Sequence, residues 1–129
     1  MYGVSANLPL YRFVGQTLEC ITICQYQISF NFSTGRDAVC AMGSWELHDE
    51  NDYLIDKETA INLELKVALR DRENYRVHKI IGQDIVAYKI DSPLSFTLRF
   101  NNGYSLTIFD DSHQYEFISI TIGTDDIII

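Results

Sequence analysis

The sequence predicts an α+β fold that is mainly β: two duplicated antiparallel hairpin or meander units forming a sandwich or half-barrel, with one or two short helices. Three observations carry this. Apolar residues recur at every second position, glycine-centred turns separate the runs, and the chain matches itself when slid along its own length.

The elements follow in order. Leu8 to Phe13 leads into Gly15 and Gln16, and a strand is expected from Leu18 to Cys24. Ile28, Phe30 and Phe32 then alternate with Ser29 and Asn31, the pattern of a half-buried strand. Ser33-Thr34-Gly35 supplies a hairpin turn, with glycine where a positive φ is required. A third strand runs from Arg36 to Met42, and after the kink at Gly43-Ser44 a fourth carries Trp45-Glu46-Leu47.

The second half repeats the first. Val14-Gly15-Gln16-Thr17-Leu18 matches Ile81-Gly82-Gln83-Asp84-Ile85 at an offset of 67 (81 − 14). Ile28 to Phe32 matches Phe96 to Phe100 at 68 (96 − 28), and Trp45-Glu46-Leu47 matches Tyr115-Glu116-Phe117 at 70 (115 − 45). Strands are thus expected at Ile85 to Ile90, Phe96 to Phe100 and Tyr104 to Phe109, followed by a last one reaching Ile122. The reading is one domain, residues 1–129, with copies at about 8–47 and 75–122 and a linker at 48–74. Within the linker, Tyr53 to Ile55 reads as a short strand. Residues 57–69 have strand alternation and good helix formers alike, so both stay open. Asp71 to Ile81 reads as a short helix capped by Asp71, burying Tyr75, His78 or Ile80 and ending at Gly82.

The bulk numbers fit such a domain. Eight Tyr and seven Phe within 47% hydrophobic residues supply a core. The net charge of −8 disfavours nucleic acid and anionic membrane, which draw on clustered Lys and Arg, and suits a basic protein partner. No basic-then-apolar leader opens the chain and no apolar run reaches the ~18–20 residues that cross a bilayer. With an odd number of cysteines, Cys20, Cys24 and Cys40, this points to a cytoplasmic protein with free thiols.

Leu98 to Ile108, which contains Phe100-Asn101-Asn102-Gly103, precedes Asp110-Asp111-Ser112 and Tyr115-Glu116. With the hydrophobic-Gly-Gln step and Trp45, this resembles a family of small bacterial proteins, a domain of unknown function. Its pattern is Leu-Leu-Gly, Phe-x-Asn-Gly, Asp-Asp-Ser and Tyr-Glu-Ser. The resemblance spans about Val14 to Ile122 and rests on turns and core strands; Phe117 stands where that group usually has Ser. It implies an immunity-like role beside a bacterial toxin.

Asp110, Asp111, His113 and Glu116 crowd one turn. They suit a solvated hairpin whose Asp caps amides, an acidic patch for docking a partner, or a divalent-metal site, although no metal-ligand spacing accompanies them. These four are carried forward as the docking candidate, with no catalytic residue, metal or cofactor assigned. The cysteines read as core residues, Cys40 matching Ile108. The Gln16 and Gln83 side chains read as partners of turn amides. Glu46 and Glu116, brought together by symmetry, are a second carboxylate pair, read as solvated. Two alternatives to an immunity-like binder remain: a structural or regulatory homo-oligomer, such as a homodimer, and a metal-binding or hydrolytic enzyme using Asp110 and His113.

Overall fold

Period-two burial is the organising feature. The computed structural model describes residues 3–59, 72, 74–110 and 118–129. Among them a 3-10 turn, Leu10–Phe13, is followed by β1 (Leu18–Ile23), β2 (Ile28–Phe32), β3 (Ala38–Ala41), β4 (Trp45–His48) and β5 (Leu54–Glu58). A second 3-10 turn, Val77–Ile80, precedes β6 (Ile85–Asp91), β7 (Ser95–Phe100), β8 (Ser105–Phe109), β9 (Ile118–Ile122) and β10 (Asp125–Ile128). On β2, β4 and β9 buried positions alternate strictly with part-exposed ones, because one face of each strand meets the core. No helix among the described residues is long and apolar enough to cross a membrane.

The strands form two five-stranded antiparallel sheets, ordered β1-β2-β3-β9-β10 and β5-β4-β8-β7-β6. Each unit contributes three consecutive strands to one sheet and its last hairpin to the other. The hairpin β4–β5 pairs with β8, while β9–β10 pairs with β3. The sheets meet through one apolar cluster in which Phe30 of the first sheet sets its ring edge-on to Trp45 of the second, centroids 6.3 Å apart. This is a mainly β sandwich. Each sheet has five strands because the neighbouring unit supplies two.

The two units obey the same register. Gly15 N–H donates to Ile85 O at 2.8 Å and Gly82 N–H to Leu18 O at 2.7 Å. Ile85 N–H donates to Gln16 O and Leu18 N–H to Gln83 O, both at 2.9 Å. The chain passes through the same crossing twice, around the bridge between Thr17 and Asp84. The pairing of β1 slips between Leu18 and Cys20, and that of β6 between Ile85 and Ala87. An inserted residue at matching positions bends both strands alike.

Register also corrects the later part of the alignment. Ile28 pairs with Ala41 and Phe96 with Ile108, so Ala41, not Cys40, is the counterpart of Ile108. Trp45 pairs with Ile108 and Ile118 with Ala41, so Ile118 occupies the place of Trp45, an offset of 73 (118 − 45). The assignment of Trp45 to Tyr115 followed a shared aromatic-Glu step instead of the pairing. Each unit further carries a fifth strand, β5 or β10, beyond the boundaries 8–47 and 75–122.

The linker holds a second correction. The element near Asp71 is a single 3-10 turn that buries Val77 and Ile80 and leaves His78 exposed. Its amides are capped from another strand: Asp56 Oδ2 accepts from Arg76 N at 2.8 Å and Val77 N at 2.9 Å. Of the residues 57–69 left open between strand and helix, Lys57 and Glu58 are the end of β5, while residues 60–69 and Asp71 lie outside the described residues.

Candidate functional site

Of the four predicted docking residues, Asp110 alone is described; Asp111, His113 and Glu116 lie outside the described residues. Asp110 is half-buried at the end of β8, and its amide donates to Leu94 O at 2.9 Å, tying it to the β6–β7 turn. Glu46 is half-buried on the outward face of β4, 3.5 Å from His48 Nε2.

The cysteines face outward, against the core expectation. Cys20 is exposed, and Cys24 and Cys40 are half-buried. Cys40 pairs with Ser29 and Ser119, the row facing away from the core, and its counterpart is Thr107. Partial burial, with the neighbouring Cys24, pushes the Cys40 thiol above its ordinary value, so it stays protonated.

Gln16 is a donor, not a cap for amides. Its Nε2 reaches Asp37 Oδ2 at 2.7 Å and Arg12 O at 3.0 Å. Asp37 is buried, and its other oxygen accepts from Gly123 N at 2.8 Å, pinning the β9–β10 turn to the β2–β3 turn. Burial pushes this carboxyl up. Bonds from Gly123, Gln16 and Thr34, with the Arg12 charge, outweigh that and hold it below the ordinary value.

A second buried acid group marks where the copies diverge. By register, Asp56 and Glu58 on β5 stand where β10 and the residue after it have Ile127 and Ile129. Asp56 takes a hydrogen bond from Arg72 as well as the two turn amides, and the Arg72 guanidinium lies 4.3 Å from the Tyr75 ring centroid and 6.0 Å from that of Trp45. The sequence signal was available: acids at alternate, inward positions of a strand whose twin is apolar. These groups serve each other and the backbone, which makes them a folding device.

The loop between β4 and β5 displays an exposed aromatic side chain among acidic residues. Asp49 Oδ1 accepts from Asn51 N and Tyr53 N, both at 2.9 Å, and Asp49 N–H donates to Tyr53 O at 2.9 Å. Asp52 sits at φ +65°, a left-handed conformation that Asp tolerates better than most residues. The loop therefore has one shape. It presents the Tyr53 side chain, 69% exposed, and Leu54, 46% exposed, beside the exposed Glu50 and Asp52. Charge and turn residues were legible there, but the fixed display of Tyr53 depends on bonds that close within the loop. Comparison with family models, with curated proteins and with solved structures returns no match for the chain.

Proposed function

We propose that this protein is a non-enzymatic, immunity-like protein-binding module that engages a basic partner through an acidic turn. The observation that carries the proposal is the β4–β5 loop, in which hydrogen bonds to Asp49 fix an exposed Tyr53 between acidic neighbours. Tyr presents a large contact area at low conformational cost, and a loop already held in one shape loses little freedom on binding. Glu50 and Asp52 add a local negative field to the overall −8, which speeds encounter with a positive surface. The basic partner of this reading is a toxin-like protein in the cytoplasm of a bacterium, and the sequence cluster Asp110, Asp111, His113 and Glu116 is an additional acidic contact.

The test is co-expression with the products of the genes that neighbour this protein's own, a toxin-like basic protein being the one expected to bind, followed by binding measurements on the purified pair. Protection by the wild type, lost in Tyr53→Ala and in Glu50→Lys with Asp52→Lys, supports the proposal. Protection or affinity that is indifferent to these changes and to added salt overturns it.

A second reading has one observation in its favour. Among the described residues strand β10 is the edge of its sheet and its Ile128 is 61% exposed, a surface that suits strand-to-strand pairing with another copy. Light scattering decides it: a mass of two chains that persists on dilution supports the homodimer, and one chain at high concentration ends it.

A further inference from the structure

The outward face of the second sheet carries a feature unrelated to the acidic loop. Ala87 pairs with Arg99 and Arg99 with Ser105, while Lys89 pairs with Thr97 and Thr97 with Thr107. These side chains therefore share one face, with Lys89 and Arg99 as diagonal neighbours on adjacent strands, roughly 7–8 Å apart at their backbones and close enough for long side chains to converge. Between them lies a shallow cleft of about 200 Å³ lined by Ala87, Tyr88, Lys89, Thr97, Arg99 and Ser105. Neither cation has an acidic partner among the described residues.

The duplication provides an internal control. In the first sheet the register puts Cys20, Thr22, Ser29, Asn31 and Ala38 where the second has Ala87, Lys89, Thr97, Arg99 and Ser105. The same backbone forms there with no charge at these five positions, the nearest acid in that row being Asp126 on the edge strand. Folding thus does not require two adjacent like charges, which repel each other, and an anion between them removes the repulsion.

We propose that this cleft binds the phosphate group of a small ligand. Arg99 supplies a planar fork of donors, Lys89 a second positive charge, and Ser105 a hydroxyl with no hydrogen bond among the described residues. Thr97 and Thr107 bond to each other at 2.8 Å and fix the floor. A carboxylate is satisfied by one guanidinium; separate donors on two strands suit a group with three terminal oxygens. The volume lies below the ~300–1,000 Å³ of pockets for drug-sized molecules, which limits the ligand to a small one. The protein's net negative charge does not prevent this, since salt screens it beyond about 8–10 Å while the two cations act at contact.

The test is an amide NMR titration of the full chain with inorganic phosphate and, separately, with acetate. Saturable shifts with phosphate at Lys89, Thr97, Arg99 and Ser105 are expected, with acetate weaker. Lys89→Thr with Arg99→Asn installs residues that the other sheet already carries at these places, so the fold survives, and phosphate affinity falls by about tenfold or more. Lys57→Thr, on the same face but on β5, leaves affinity within about twofold, less than a direct charged contact is worth. Absence of saturation, equal binding of acetate, or an equal loss in Lys57→Thr would each overturn the proposal.

Discussion

Thr17 and Asp84 face each other across an isolated bridge between the two units, at the same position in each, and the Thr17 hydroxyl donates to the Asp84 carboxylate. Their own amides are satisfied in the same way: Thr17 N–H donates to Ser33 Oγ at 3.1 Å and Asp84 N–H to Asn101 Oδ1 at 3.2 Å. The pair therefore sits on the pseudo-twofold axis, and its two members, Thr and Asp, make the contact asymmetric.

Removing this contact tests how much the crossing contributes. Thr17→Val keeps the shape and deletes the donor, and the expected loss is about 1–2 kcal/mol, the range for a half-buried bond to a charged acceptor. Urea denaturation followed through the single, buried Trp45 reads it. A double-mutant cycle with Asp84→Ala should return a coupling of roughly 1 kcal/mol, and additivity would show that the bond contributes nothing.

Much of this fold was legible from alternation and self-similarity, because both report the face a residue presents to the core. Phe30, Phe32, Leu98, Phe100, Leu106 and Ile108 are buried as their spacing required. What alternation does not encode is which sheet a strand joins. The exchange of β4–β5 and β9–β10 is set by pairing with β8 and β3, contacts distant in sequence, and so Trp45 was matched to Tyr115 when its structural equivalent is Ile118. For the proposed contact surface, the acidic residues were visible but the bonding of Asp49 to Tyr53 was not. The cations of the proposed cleft escaped notice because Lys89 and Arg99 are ten residues apart and meet only through register.

Asp37 predicts an acid-sensitive join between the β2–β3 and β9–β10 turns. Its folded carboxyl titrates below the ordinary value. The contribution is therefore complete at neutral pH. It is lost as the pH falls below about 4, where the unfolded chain takes up a proton that the folded one resists. Asp37→Asn sets an amide donor against the Gln16 Nε2 donor and removes the charge. This variant should be less stable by about 2 kcal/mol at pH 7 and approach the wild type toward pH 3. A constant gap across that range, measured by thermal melting at each pH, would contradict the assignment.

Asp56 and Arg72 form a partly buried pair whose members should be unequal in isolation and linked together. Asp56→Ala removes the carboxylate partner of the Arg72 guanidinium, which keeps its bond to Asn74 O, and uncaps the Val77–Ile80 turn, with an expected cost of about 2–3 kcal/mol. Arg72→Met leaves Asp56 its amide donors and keeps an apolar chain near Trp45 and Tyr75, so its cost should be smaller. The double variant should cost less than the sum of the two single changes. Chemical denaturation of the four proteins measures this, and simple additivity would mean the charges do not interact.

The hairpin glycines Gly35 and Gly103 should respond differently to the same change, and the difference reaches the β4–β5 loop. Gly35 and Gly103 end equivalent turns at φ +77° and +88°, and each N–H donates to the phenylalanine three residues earlier, Phe32 or Phe100. Either Gly→Ala change imposes a left-handed conformation on a residue with a Cβ, at about 1–2 kcal/mol. Around Gly35 the added carbon meets open space, whereas at Gly103 it would lie 2.7 Å from Glu50 Cβ. Such a contact cannot be kept, so Gly103→Ala must displace the backbone of the β4–β5 loop or its own turn. The expected result is a loss at least 1 kcal/mol larger than for Gly35→Ala, within the range for overpacking at a close contact. Amide shifts should spread from Gly103 through Asp49, Glu50 and Tyr53, with weaker binding of a partner held by Tyr53. Gly35→Ala should shift none of those amides. Equal losses with no shift at Tyr53 would mean that the turn and the acidic loop move independently.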